Sequence, residues 1–177
     1  HGGLYCGTRV AARIDAGTLT DAVMGVGTAG YRFKDLYRSG GAYLGGTASA
    51  NLLDSYEEGT FTVTIAGDAT GVFTSEDAAY TKIGRLVFIE IVFQVNTNFS
   101  DNTIGGLPFA AADLLSVSYG AAGQCTSVFV NTAATKTIHA AVVEGGSTIN
   151  LFLGDVTAHN PTTSQNIYRI SLCYQTT

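Results

Sequence analysis

The stretch "GRLVFIEIVFQVN", residues 84–96, carries Val87, Ile89, Ile91, Phe93 and Val95 at every second position. Successive side chains of a strand point to opposite faces, so these five share one face and are expected in a core. The intervening positions, Leu86, Phe88, Glu90, Val92 and Gln94, are more informative. A face turned to water does not normally carry Leu, Phe and Val. This second face is therefore expected to be covered too, by another sheet or by another subunit. Each large apolar side chain buried there contributes roughly 1.5–3 kcal/mol, and leaving three exposed invites aggregation.

The same period runs outward along the chain. Phe61, Val63 and Ile65 alternate with Thr60, Thr62 and Thr64, which predicts one half-buried strand. "TIHAAVV" (137–143) and "TINLFL" (148–153) flank "EGGS", the pattern of a β-hairpin closed by a Gly-Gly turn. "NIYRISLCYQ" (166–175) puts Tyr168, Ile170, Leu172 and Tyr174 on one face. "AAADLLSV" (110–117) is the one candidate for a short helical turn. The fold class expected is all-β: an antiparallel sandwich or jelly-roll-like domain over residues 51–177. Residues 1–50 differ, with short apolar bursts such as "YRFKDLY" (31–37) and "AYL" (42–44), each followed by a glycine pair. They are expected to form a glycine-punctuated, β-structured connector whose missing contacts come from neighbouring copies.

Composition narrows the function classes. Charged residues are 13% of the chain, well below the usual quarter, as expected of a surface partly covered by other subunits. The net charge is −5 and the nine Lys and Arg are scattered, which argues against a nucleic-acid partner. No run of eighteen apolar residues is present, so no helical membrane span is expected. The chain opens His1-Gly2-Gly3 without Met, which reads as a fragment or a processed product.

The residues with chemical potential mostly have a simpler reading. Glu57 and Glu58 form a carboxylate pair, but neighbours in an extended chain face opposite ways and do not flank one glycosidic bond. They are expected to mark a strand entry at Gly59, with Tyr56 packed against the base of the sandwich. Tyr80 and Lys82 suggest a catalytic pair, yet no strand–glycine loop–helix unit accompanies them. Gly84 is expected to be the turn or bulge that launches the long strand, and Pro108 in "GGLPF" (105–109) to fix a connection between strands. His139 is expected to be a hydrogen-bonded structural residue within a strand. Asp155, His159 and Asn160 lie in the longest polar loop, residues 154–166, and are the candidates for binding a ligand. Cys6, Cys125 and Cys173 fit no metal motif and are read as structural, with Cys173 as a small buried hydrophobe and a Cys125–Cys173 pairing left open. No cofactor, metal or catalytic residue is expected.

Three ordered motifs add a family resemblance: "GGTASANLLDSYEEGTFTVTIAG", then "AAYTKIGRLVFIEIVFQV", then "GGLPF". Over about residues 28–110 the chain closely resembles the C-terminal domain of tail fibre proteins from tailed bacteriophages, and "GYRFKDLYRSGGAYLGG" resembles the shaft that precedes it. It departs from that family's pattern in carrying Phe61 for Trp, Val63 for Pro and Arg85 for Asn. Phe still supplies a large ring to a β face. The resemblance implies a homotrimer on the outside of a virion, with a thin β-structured shaft and a globular tip. That tip would adsorb to a host-surface receptor, most often a glycan, and join other tail or capsid proteins. It makes Leu86, Phe88, Glu90 and Val92 trimer-interface candidates, with Arg85 or Arg169 of a neighbouring copy as partner to Glu90. A head fibre or other structural appendage is the alternative. A depolymerase tailspike is disfavoured, because no repeat of 20–50 residues is present.

Overall fold

The computed structural model describes residues 28–65, 73–113, 125–130, 138–153, 157–158, 160 and 167–177; for 73–75 and 125–130 it describes the backbone. The chain divides after Gly40 into two units, each taken by itself. In residues 28–40 of the first, Thr28 and Tyr31 exchange backbone hydrogen bonds of 3.0 and 3.1 Å, and no strand forms. Tyr31, Phe33, Leu36 and Tyr37 are 71–90% exposed.

The second unit is built from antiparallel strands. A small pair, β1 (Ala42–Tyr43) and β2 (Leu52–Leu53), brackets a 3-10 turn at Ser49–Asn51. β1 is the one strand found among the described residues of 1–50. The main sheet has five strands in the order β3 (Tyr56–Thr60), β5 (Phe73–Ile83), β6 (Leu86–Val95), β11 (Ile167–Gln175) and β8 (Cys125–Val130). The second has four, in the order β4 (Thr64–Ile65), β7 (Thr103–Gly105), β10 (Thr148–Leu153) and β9 (Ile138–Val142). The all-β, antiparallel architecture expected from the alternation is present.

One core joins the two sheets. β6 buries Val87, Ile89, Ile91, Phe93 and Val95, and β11 buries Tyr168, Ile170, Leu172 and Tyr174. Against them stand Ile104 of β7, Ile149 and Leu151 of β10, and Ile138, Ala140 and Val142 of β9. Phe93 and Tyr168, paired across β6 and β11, stack with ring centres 5.0 Å apart. Offset aromatic pairs of this kind add roughly 0.5–1.5 kcal/mol beyond their buried area.

Four expectations are corrected. The strand expected over residues 60–65 is two strands in different sheets. The chain leaves β5 after the Phe61 N–H bonds to Ala78 O (3.1 Å), and the next inward N–H, Val63, takes the Glu76 carboxylate instead (2.9 Å). A side chain thus replaces the ladder where the backbone crosses between layers. Alternation survives the crossing, since Val63 and Ile65 remain buried. The helical turn expected over 110–117 is absent from its described part, where Ala111 bridges Thr176 as extended chain; residues 114–117 lie outside the described residues. His139 is exposed and its side chain makes no hydrogen bond among the described residues, standing opposite Phe152 on the outer side of the four-stranded sheet. Cys173 is an exposed free thiol, because the alternation that buries Leu172 and Tyr174 turns it outward.

Candidate functional site

Three regions of the sandwich carry candidate side chains, and the first is the outer face of the five-stranded sheet. The β5–β6 hairpin closes on Gly84 (φ +58°) and Arg85, which pairs Ile83 with Leu86. From that turn the register follows, with Thr81 opposite Phe88, Ala79 opposite Glu90 and Asp77 opposite Val92. On the other side of β6, Cys173 lies opposite Phe88, Ser171 opposite Glu90 and Arg169 opposite Val92. The turn end of this face is apolar: Tyr56, Ile83, Leu86 and Phe88 are 39–59% exposed. Beyond it, Asp77, Ala79, Glu90, Val92, Arg169 and Ser171 line a shallow depression of about 280 Å³. No described element of the chain covers Leu86, Phe88 or Glu90. The expectation of a second sheet over this face is thus not met within one chain. Within the chain Arg85 does not reach Glu90: its Nε donates to Thr176 O (3.2 Å) and its own carbonyl accepts from Thr176 N (2.8 Å).

The second region surrounds the carboxylate pair. Glu57 and Glu58 point to opposite sides of β3, as adjacent strand residues must. Glu58 accepts a hydrogen bond from the Tyr56 hydroxyl on the outer face, so Tyr56 faces outward rather than packing beneath the sandwich. Glu57 accepts from the Tyr80 hydroxyl at 2.5 Å on the inner side. Each phenol is held above its usual value, mainly because its hydroxyl donates to a carboxylate. The Tyr80 ring lies across Gly59, its cross-strand partner, where a Cβ would come within 2.8 Å of the ring. A ring covering a strand glycine restores the packing that the glycine lacks. Tyr80 meets Phe109 edge-on at 5.4 Å, and the Lys82 amine sits 5.4 Å from the Phe109 ring centre while donating to Ser55 Oγ (2.6 Å). Tyr80 and Lys82 are thereby committed to holding the "GGLPF" strap against the sheet. The strap is also held by Tyr174, whose hydroxyl donates to Phe109 O (3.0 Å), and by Thr176, whose hydroxyl donates to Ala110 O (2.8 Å). Burial pushes the Tyr174 phenol up to about 12.

The third region is the end of the sandwich away from the Gly84 turn. β5, β7, β9 and β11 begin there, and β4, β6, β8 and β10 end there, so four connections start and finish at this end. In the β6–β7 connection, Asp101 Oδ1 accepts from Thr103 N (3.1 Å) and Thr103 Oγ1 (3.0 Å), Thr103 Oγ1 reaches Asn150 Oδ1 (3.1 Å), and Asn102 Nδ2 donates to Leu151 O (2.9 Å). Of the loop candidates, Asn160 donates through Nδ2 to Ser100 O (3.1 Å), which ties its loop to this cluster. Asp155 and His159 lie outside the described residues. Among the described residues no three His, Cys, Asp or Glu side chains are grouped to hold a metal ion.

Sequence reasoning found Leu86, Phe88, Glu90 and Val92 as a face but missed Asp77, Ile83 and Tyr56 beside them. Counting back through the two-residue turn at Gly84 places Asp77 and Ile83 on that face, so the signal was present. Phe109 as the ring over Lys82 had no local signal. Comparison with known proteins returns no matching family model, no matching curated protein and no matching solved structure.

Proposed function

We propose that this chain forms the tip, and part of the preceding stalk, of a homotrimeric virion fibre that binds a host-surface glycan without turning it over. The observation that carries this reading is the uncovered outer face of the main sheet, with Leu86, Phe88 and Ile83 exposed in one stretch, while the inner residues of β6 and β11 are buried. A monomer leaves that surface in water; three copies arranged about an axis cover it. The exposed Tyr31, Phe33, Leu36 and Tyr37 of the upstream segment call for the same remedy.

The division of the domain into two ends supports the adhesive half of the proposal. The chain enters the main sheet at Tyr56, beside the Gly84 turn, as the Ser55 O to Gly84 N hydrogen bond of 2.8 Å shows. The polar connections containing Asn96, Asp101, Asn102 and Asn160 gather at the other end. Hydroxyl and amide groups on loops, repeated by several fibres, suit weak glycan contacts summed over one cell surface. Glu57 and Glu58, turned to opposite faces and each occupied by a tyrosine, offer no paired acid and base. Light scattering should give three times the chain mass, and a glycan array should return a defined sugar. A monomer at micromolar concentration sinks the proposal, as does release of reducing sugar from host polysaccharide.

A further inference from the structure

We infer that the outer face of the five-stranded sheet packs against a second copy of this chain with β6 nearest the shared axis, and that Arg169 of one copy is held between Asp77 and Glu90 of the next. The inference rests on the trimer proposed above and specifies which surface closes it.

The charges on this face are arranged asymmetrically. Asp77, Val92 and Arg169 form one row across β5, β6 and β11, so a carboxylate stands on one flank and a guanidinium on the other at the same height. Glu90 lies one row away on the midline and diagonal to both. All three charged residues are exposed, and none makes an ion pair or hydrogen bond within the chain. Diagonal neighbours on a sheet are about 7–8 Å apart, out of direct reach without bending toward one another.

Rotation about an axis running along β6 changes this. When each copy turns its outer face inward, the β11 flank of one abuts the β5 flank of the next, and symmetry keeps the rows level. Arg169 then meets Asp77 directly and Glu90 diagonally, and its forked donors serve two carboxylates. The same rotation brings the Leu86 and Phe88 side chains of all copies together at the axis, with Ile83 and Tyr56 beside them. A head-to-tail charge pattern of this kind closes a ring, whereas a face whose flanks bore the same sign would repel its own copy.

The test uses the full chain with Cys6→Ser and Cys125→Ser, leaving Cys173 as the reporter thiol. Light scattering measures mass across a dilution series, and a thiol reagent measures the rate of Cys173 modification. The parent should be a trimer whose Cys173 reacts far more slowly than in denaturant. Arg169→Ala leaves two unpaired carboxylates at the interface and should raise the dissociation midpoint by on the order of tenfold or more. Asp77→Asn with Glu90→Gln and Arg169→Gln removes the whole set and should recover most of that loss. These side chains are exposed in the single chain, so the variants fold. A monomeric parent overturns the trimer and this interface together. A trimeric parent with freely reacting Cys173, or with an unchanged midpoint in Arg169→Ala, overturns the interface and leaves the trimer standing.

Discussion

Replacing Tyr174 by Phe removes a single oxygen, and the structure says what that costs. The ring is buried in the core from β11, and its hydroxyl donates to Phe109 O at 3.0 Å. No described backbone donor also serves that carbonyl. Leaving a buried acceptor unpaired costs about 1–3 kcal/mol, and the half-buried position of Phe109 points to the lower part of that range. For a domain of this size each kcal/mol shifts the melting temperature by roughly 2–4 °C, so Tyr174→Phe should melt about 3–6 °C lower at pH 8. The pH dependence carries a second, independent signature. The Tyr174 phenol is raised from 10.0 to about 12 in the fold because burial disfavours the phenolate. An acid with a raised folded value contributes its full stability below the unfolded value, and loses it as pH climbs toward the folded one. The wild-type advantage over Tyr174→Phe should therefore be constant up to pH 10 and shrink between 10 and about 12. Thermal melts by circular dichroism at matched protomer concentration measure both. Equal melting temperatures at pH 8, or a gap that ignores pH, would refute the account of how the strap is anchored.

Other substitutions probe other joints. Gly106→Ala places a Cβ 2.2 Å from Thr62 O at φ +90° and should destabilise by more than about 2 kcal/mol in urea titration. Gly84→Ala has open space at φ +58°, so only the left-handed backbone cost of about 1 kcal/mol applies. Glu57→Gln removes the main cause of the raised Tyr80 phenol, and spectrophotometric titration should show that phenol moving back toward 10.0. Leu151→Ala, at a side chain with no exposure, should cost about 2–5 kcal/mol by chemical denaturation.

Local periodicity made much of the fold legible. The odd positions of 87–95 do face the core, and the "EGGS" hairpin joins β9 to β10 with Gly145 at φ +67°. The opposite facing of Glu57 and Glu58 needed nothing beyond adjacency in an extended chain. The period also places Cys173, since Leu172 and Tyr174 on the inner face turn it outward rather than into the core. The same alternation buries Ile138 and Ala140 and turns His139 outward, away from any core partner.

The amino-acid sequence by itself therefore determined which residues share a face, because the strand period is a property of the covalent backbone. It did not determine what lies over each face. That the Thr60–Ile65 alternation spans two sheets depends on Glu76 reaching Val63, and that Tyr80 holds Glu57 depends on a register 23 residues long. Arg85 turns to Thr176, just past the end of β11, while Arg169 stands diagonal to Glu90. Such pairings are settled by three-dimensional packing, where residues distant in the chain compete for the same neighbours, and no local period records the winner.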